Sequence, residues 1–363
     1  KGVESTGVGT SLKHFAVNNN EYLRMTINSV VDERALREIY LSAFEECVKQ
    51  GKPRTVMASY NRINGVYATD NPWLLDTLLR RQWGYEGMVV SDWNAANDRV
   101  AGVKAGMDLE MPTSGNKNDR RILAAIKSGA LTEEELDAVV ARVLRTLEVC
   151  ENNRRPFKAD YDKAHELARR VADESIILLK NDAGRLPLSK DEKLLVVGKL
   201  AEHSRYQGAG SSRINPYKLV SVREALDEAG VGYEYVEGYS LDGDGKDAAL
   251  ERKALELAKD FDGTIVCCIG LTDTYESEGY DRTHMTLPPS HDDLVTKLAG
   301  MGKPLVVVLF GGSPVEMPWL DKVDTLVNAY LPGEACGEAV LDILTGAVNP
   351  SGKLAETYPF NLD

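Results

Sequence analysis

Gly87-Met-Val-Val-Ser-Asp-Trp93 is a short apolar run that ends in Ser91, Asp92 and Trp93. A run of this length behind a glycine reads as a buried strand, and a helical pattern follows it from Asn97 to Ala105. The same alternation extends outward. Toward the N-terminus an apolar stretch from Val8 to Val17 precedes a helical pattern from Asp32 to Gln50, and strand Arg54 to Tyr60 precedes helix Pro72 to Trp83. Toward the C-terminus come strand Met107 to Glu110, a helix around Arg120 to Ser128, and helix Glu133 to Cys150. The last opens with Thr132 and Glu135 in capping-box spacing. Strands separated by single helices imply a parallel sheet with right-handed crossovers. The strands number about half of what a closed eight-stranded barrel requires.

Residues 151–160, polar and basic around Pro156, read as a linker between a first domain over 1–150 and a second over 161–363. In the second domain the pattern predicts a long helix Tyr161 to Lys180, then strands Lys193 to Val197, Tyr233 to Val236, Thr264 to Ile269, Leu305 to Leu309 and Thr325 to Ala329. Helices Ser221 to Ala229, Lys246 to Lys259, Asp292 to Met301 and Glu334 to Thr345 complete it. The fold class is therefore α/β: the C-terminal part of a TIM-type (β/α) barrel followed by a doubly wound α/β/α sandwich.

The 363 residues carry 56 acidic against 43 basic side chains, a net charge of −13, with no basic stripe interleaved with aromatics. A polyanionic backbone would be repelled, so no nucleic acid partner is expected. The longest apolar runs are strand-length, so no membrane partner is expected either. Five scattered cysteines, with no C-x-x-C spacing, read as small buried hydrophobes. Neither a metal nor a cofactor is expected, because no His-Glu-x-x-His, P-loop or Gly-x-Ser-x-Gly motif occurs; Gly208-Ala-Gly210 lacks the strand and third glycine of a dinucleotide fingerprint. The compartment stays open, and homo-oligomer formation is compatible with the sequence.

Barrels of this kind place reacting groups at the C-terminal ends of their strands. Asp92 and Trp93 occupy such an end, as do Lys13 and His14 in Leu12-Lys-His-Phe15, and Met57 and Tyr60 in Val56-Met-Ala-Ser-Tyr-Asn61. Taken alone, Asp92 reads as readily as a cap of the following helix. In the second domain Tyr275-Glu-Ser-Glu-Gly-Tyr-Asp-Arg282 follows a buried strand, which puts Glu276, Glu278 and Arg282 on a loop at its C-terminal edge. Two carboxyl groups, one ionised and one protonated, are what glycosidic hydrolysis needs. One from each domain would put a substrate in the cleft between them, with the polar loop Ser211-Ser-Arg213 facing it.

Together, Lys13-His-Phe15, Val31 to Tyr40, Met57-Ala-Ser-Tyr-Asn61 with Ile63-Asn-Gly65, Val90-Ser-Asp-Trp93, Ala105 to Pro112, Glu278-Gly-Tyr-Asp-Arg282 and Ser351-Gly-Lys-Leu354 resemble glycoside hydrolase family 3, in particular its β-glucosidases. The resemblance implies that Asp92 is the nucleophile and Glu278 the acid/base, with Glu276 as the rival for the acid. It implies that Lys13, His14, Arg24, Met57, Tyr60 and Trp93 contact the sugar. The implied activity is retaining, exo-acting hydrolysis of a β-glucoside or short β-gluco-oligosaccharide, with a β-xylosidase or a non-catalytic sugar-binding fragment as the other readings. Ala16-Val-Asn-Asn-Asn20 stands where the histidine-dyad branch carries Pro-Gly-His-Gly, so an N-acetylglucosaminidase is not expected. The family's earlier half-barrel, with its Asp-Gly-Pro and Ser-Glu-Asp-Pro motifs, has no counterpart here. The missing barrel half is therefore an expected partner, on the same chain or another, and these residues alone are expected to be poorly soluble and inactive. His291 stands where glutamine is common, a change expected to alter the domain interface.

Overall fold

The computed structural model describes residues 1–362. The chain divides into two compact units, Lys1–Phe157 and a second beginning at Lys158.

In the first unit three strands, β1 (Ser11–Phe15), β2 (Thr55–Ala58) and β3 (Met88–Ser91), lie parallel in the order of the chain. The expected strand Met107 to Glu110 reduces to one parallel bridge, Val90 to Leu109. The amides of Asp108 and Leu109 both reach the carbonyl of Val89, at 2.8 and 3.1 Å, and Pro112 then lacks a donor, so no regular ladder propagates. Helices return between the strands. The segment from Glu33 to Gly51 mixes α and π turns and is capped by Asp32, whose carboxylate accepts the Ala35 N–H at 3.0 Å. Trp73–Gln82 buries Leu74, Leu75, Leu78 and Leu79 against the sheet beside Phe15 and Met107. Asp98 caps Arg99–Ala105 through the amides of Val100 and Ala101. The Thr132/Glu135 capping box opens Glu133–Asn152 as its spacing predicts.

One buried network braces this unit. Asp108, its side chain wholly buried, accepts from Arg80 Nη2 at 2.9 Å, Arg142 Nε at 2.6 Å and the Val89 amide at 2.7 Å. It ties the Trp73–Gln82 helix, β3 and the Glu133–Asn152 helix to one point.

The second unit holds β4 (Ile177–Asn181), β5 (Leu194–Val197), β6 (Tyr233–Val236), β7 (Thr264–Gly270), β8 (Leu305–Phe310) and β9 (Thr325–Tyr330), in the order β4-β9-β8-β7-β5-β6. All neighbours are parallel except β4 against β9. β4 corrects the sequence reading, which carries the preceding helix through Lys180; that helix ends at Ser175. Ile176-Ile-Leu-Leu179 is apolar and starts β-branched, and it gains more by pairing with β9 than by continuing an exposed helix. β7 and β8 are buried at every residue, as expected for strands covered on both faces. Three cysteines sit in this core, Cys267, Cys268 and Cys336, whereas Cys47 and Cys150 are exposed, against expectation. Among the described residues no helix is long and apolar enough to cross a membrane.

Candidate active site

β1, β2 and β3 deliver the first unit's candidates at their C-terminal ends. Asp92 follows β3 and is 7% exposed. Its backbone amide donates to the Ala58 carbonyl at 2.9 Å, which fixes its position against β2. Its Oδ1 accepts the Trp93 amide at 2.7 Å, and Oδ2 lies 3.7 Å from His14 Nε2. The helix-cap alternative is disposed of by Asp98, which occupies the cap position itself. Asp92 is thus a carboxylate held from one side, its second oxygen turned toward an imidazole. Tyr60 is nearly buried, and the Arg24 guanidinium lies 4.9 Å from its ring centroid while pairing with Glu21 at 3.0 Å. Lys13 and Trp93 are exposed, and Met57 is half-buried on β2. His14 and Asp92 are thus in contact, as are Arg24 and Tyr60.

In the second unit Glu278 and Glu276 both lie on the loop after β7, in different settings. Glu276 is committed to the fold: Oε2 accepts the Gly312 amide at 2.9 Å and Oε1 the Ser313 hydroxyl at 2.8 Å, joining this loop to the one after β8. Glu278 meets the loop after β5 instead. Its Oε2 accepts the Ser211 amide at 2.6 Å and the Ser211 hydroxyl, and its own amide donates to the Ala209 carbonyl at 3.2 Å. Gly210, at φ +103°, makes this approach possible; a Cβ there would fall 2.8 Å from Glu278 Oε2. Arg282 donates to the Pro314 carbonyl at 2.9 Å, and burial lowers its pKa.

Sequence reasoning did not single out Arg205. This guanidinium is 6% exposed, pairs with Asp273 and donates to the Glu276 carbonyl at 2.7 Å, so it supports the acidic loop from behind. A lone arginine in a turn after a strand carries no motif; its partners are about seventy residues away in sequence. His291, expected at a domain surface, is instead wholly buried in the second unit. Its Nδ1 accepts the Gly270 amide at 3.2 Å and its ring lies 3.9 Å from that of Tyr239.

Comparison with known proteins agrees along the whole chain. The chain is 48% identical over 366 residues to the thermostable beta-glucosidase B of Acetivibrio thermocellus, covering all of this chain and 48% of that protein. It is 40% identical to an exo-alpha-(1->6)-L-arabinopyranosidase of Bifidobacterium breve, covering 49% of it. Among solved structures, a family 3 beta-glucosidase of Bifidobacterium adolescentis superposes with a TM-score of 0.94 at 42% identity, over 99% of this chain and 53% of that one. Beta-glucosidase 3B of Thermotoga neapolitana, solved with α-D-glucose, superposes with a TM-score of 0.88 at 34% identity. The chain spans about half the length of the curated relatives it matches. Residues 1–146 match the glycosyl hydrolase family 3 N-terminal domain and residues 176–363 its C-terminal domain, so the chain belongs to glycosyl hydrolase family 3.

Proposed function

We propose that this chain carries the catalytic carboxyl groups of a retaining, exo-acting β-glucosidase. The observation that carries the reading is Asp92: a nearly buried carboxylate at a strand end, with Oδ1 held by an amide and Oδ2 facing His14. In this account Oδ2 attacks the anomeric carbon of a terminal β-linked glucose and forms a glycosyl ester. Glu278 gives a proton to the departing oxygen, then takes one from the water that cleaves the ester. Lys13, His14, Arg24, Met57, Tyr60 and Trp93 surround the glucose hydroxyls and ring. The commitment of both Glu276 oxygens to Gly312 and Ser313 supports Glu278 as the acid.

The fold fits this role. In the first unit β1, β2 and β3 are sheet neighbours in chain order, as in a singly wound barrel, with the short strands Asn28–Ser29, Arg62–Ile63 and Val66–Tyr67 in a separate small sheet, so we read it as the later part of a (β/α)8 barrel. The second unit reverses direction at β5, the mark of a doubly wound sandwich. The test is turnover of an aryl β-glucoside by the full gene product, where Asp92→Gly should remove activity by several orders of magnitude while leaving the melting temperature near that of the parent. Full activity in Asp92→Gly would overturn the assignment. The Bifidobacterium breve relative favours a second reading, a five-carbon α-L-arabinopyranose in place of glucose. A higher kcat/KM on the aryl α-L-arabinopyranoside than on the aryl β-glucoside would select it.

A further inference from the structure

After β1 the chain makes a turn that points its charged side chains inward and its apolar ones outward. The side chains of Glu21 and Arg24 are 25% and 22% exposed, whereas Tyr22 and Leu23 between them are 67% and 59% exposed. The hydrophobic effect favours the opposite placement, so the inversion has to be held by something else.

The backbone holds it. The Arg24 amide donates to the Glu21 carbonyl at 3.2 Å, and the amides of Thr26 and Ile27 both return to the Leu23 carbonyl. Arg62 then ties the turn to the segment after Tyr60: its amide donates to the Ile27 carbonyl at 2.9 Å and its Nη2 to the Thr26 carbonyl at 2.7 Å. Arg24 is thereby set 4.9 Å from the centroid of the Tyr60 ring, while its Nη1 donates to Glu21 Oε2 at 3.0 Å. Ring and carboxylate together fix the direction of the guanidinium.

A guanidinium carries its positive charge at every working pH. A neutral sugar uses only its N–H donors and their direction, whereas a hexuronate, with a carboxylate on C5, would also be drawn by the charge. A carboxylate 3.0 Å away opposes that attraction and leaves the donors where they are. Asp92 cannot do the same throughout the reaction, because ester formation removes its charge.

We propose that Glu21 is a positioning residue for Arg24, and that its negative charge makes the sugar site prefer a neutral monosaccharide to a hexuronate. The inference rests on the reading of Arg24 and Tyr60 as sugar contacts. The test is competitive inhibition of the full gene product by D-glucose and by D-glucuronate. It is measured against whichever aryl glycoside, the β-glucoside or the α-L-arabinopyranoside, the parent hydrolyses faster. The quantity read is the ratio of the two inhibition constants, glucuronate over glucose.

Glu21→Gln keeps an oxygen for Arg24 Nη1 but removes the charge, and the ratio should fall by about tenfold. Glu21→Ala should lower the ratio as well, by a separate route. Glu21→Asp keeps the charge on a shorter arm and should hold the ratio within about twofold of the parent's, even where both sugars bind more weakly. Added salt should narrow the gap between parent and Glu21→Gln, which a purely structural role would not predict. A ratio unchanged in Glu21→Gln and Glu21→Ala, a ratio lowered equally by Glu21→Asp, or a parent that binds glucuronate as tightly as glucose would overturn the proposal. Faster hydrolysis of the arabinopyranoside by the parent would overturn the β-glucosidase reading and leave this ratio to be read, so the two fail separately.

Discussion

Oε2 of Glu276 accepts the amide of Gly312 at 2.9 Å, while two residues on, Glu278 turns to the opposite neighbouring loop and accepts from Ser211. On the proposed reading the two carboxylates of this short loop divide between holding the loop and supplying the acid. Glu278→Ala should lower kcat/KM on cellobiose by about 10²–10⁴-fold and leave a dinitrophenyl glucoside much less affected, because only a poor leaving group needs the proton. Glu276→Ala should lower both substrates by a common factor, since a displaced loop harms every substrate alike. Comparing the two ratios checks the division; a leaving-group dependence confined to Glu276→Ala would move the acid by two residues.

Gly210 governs how closely the loop after β5 approaches Glu278. Its φ of +103° and the 2.8 Å separation between an added Cβ and Glu278 Oε2 leave no room for a side chain. Gly210→Ala should displace the carboxyl and cost about 10²-fold in kcat, the scale of a 1 Å misplacement at a reacting centre. Ser211→Ala removes the hydroxyl donor but keeps the amide that reaches the same oxygen, so its loss should be smaller. Steady-state kinetics on an aryl glucoside checks the order of the two effects.

Much of this architecture is legible in the sequence because its strands are apolar and short, and its helices announce themselves. Thr132 with Glu135 is a capping box in both sequence and structure, and the structure adds a second at Ser221 and Glu224. β4 escaped because Ile177–Asn181 follows a helix after a single residue, and periodicity over so short a run cannot tell a strand from one more turn. The contacts of Asp92 with Trp93 and His14 lie partly within its motif. Those of Glu278 with Ser211, and of Arg205 with Asp273 and Glu276, join loops about seventy residues apart, and no local spacing encodes them.

His291 gives the protein a dependence on acid. Burial pushes its imidazole down from 6.5 to about 3, so it is neutral in the fold. Below pH ~6.5 the unfolded chain binds a proton that the folded one refuses, and stability contributed by this group falls as the pH drops toward ~3. The effect is on the order of a few kcal/mol across that window. Asp292, pushed up to about 6 by burial, works in the opposite sense and is present in either variant. His291→Gln, which keeps an acceptor for the Gly270 amide, should therefore lose less melting temperature than the parent between pH 7 and pH 5. Parallel curves for the two proteins would contradict this account.

Asp108 carries a second stability prediction. Removing its carboxylate leaves Arg80 and Arg142 largely buried without a counter-ion, and breaking a buried pair in this way costs about 3–5 kcal/mol. Asp108→Ala should shift the denaturant midpoint strongly, whereas Asp76→Ala, which breaks a pair with an exposed Arg81, should lower the unfolding free energy by less than about 1 kcal/mol. Equilibrium unfolding in urea distinguishes the two.

The central claim is that Asp92 forms a covalent bond to the sugar. A 2-deoxy-2-fluoro-β-glucoside with a good leaving group slows the second step more than the first and lets the ester accumulate, so digestion and mass spectrometry can locate it. The account predicts that the added sugar mass is found on the peptide containing Asp92 and is absent in Asp92→Gly. A label on another carboxylate, or turnover that proceeds with an inverted first-formed anomer and no label, would contradict it.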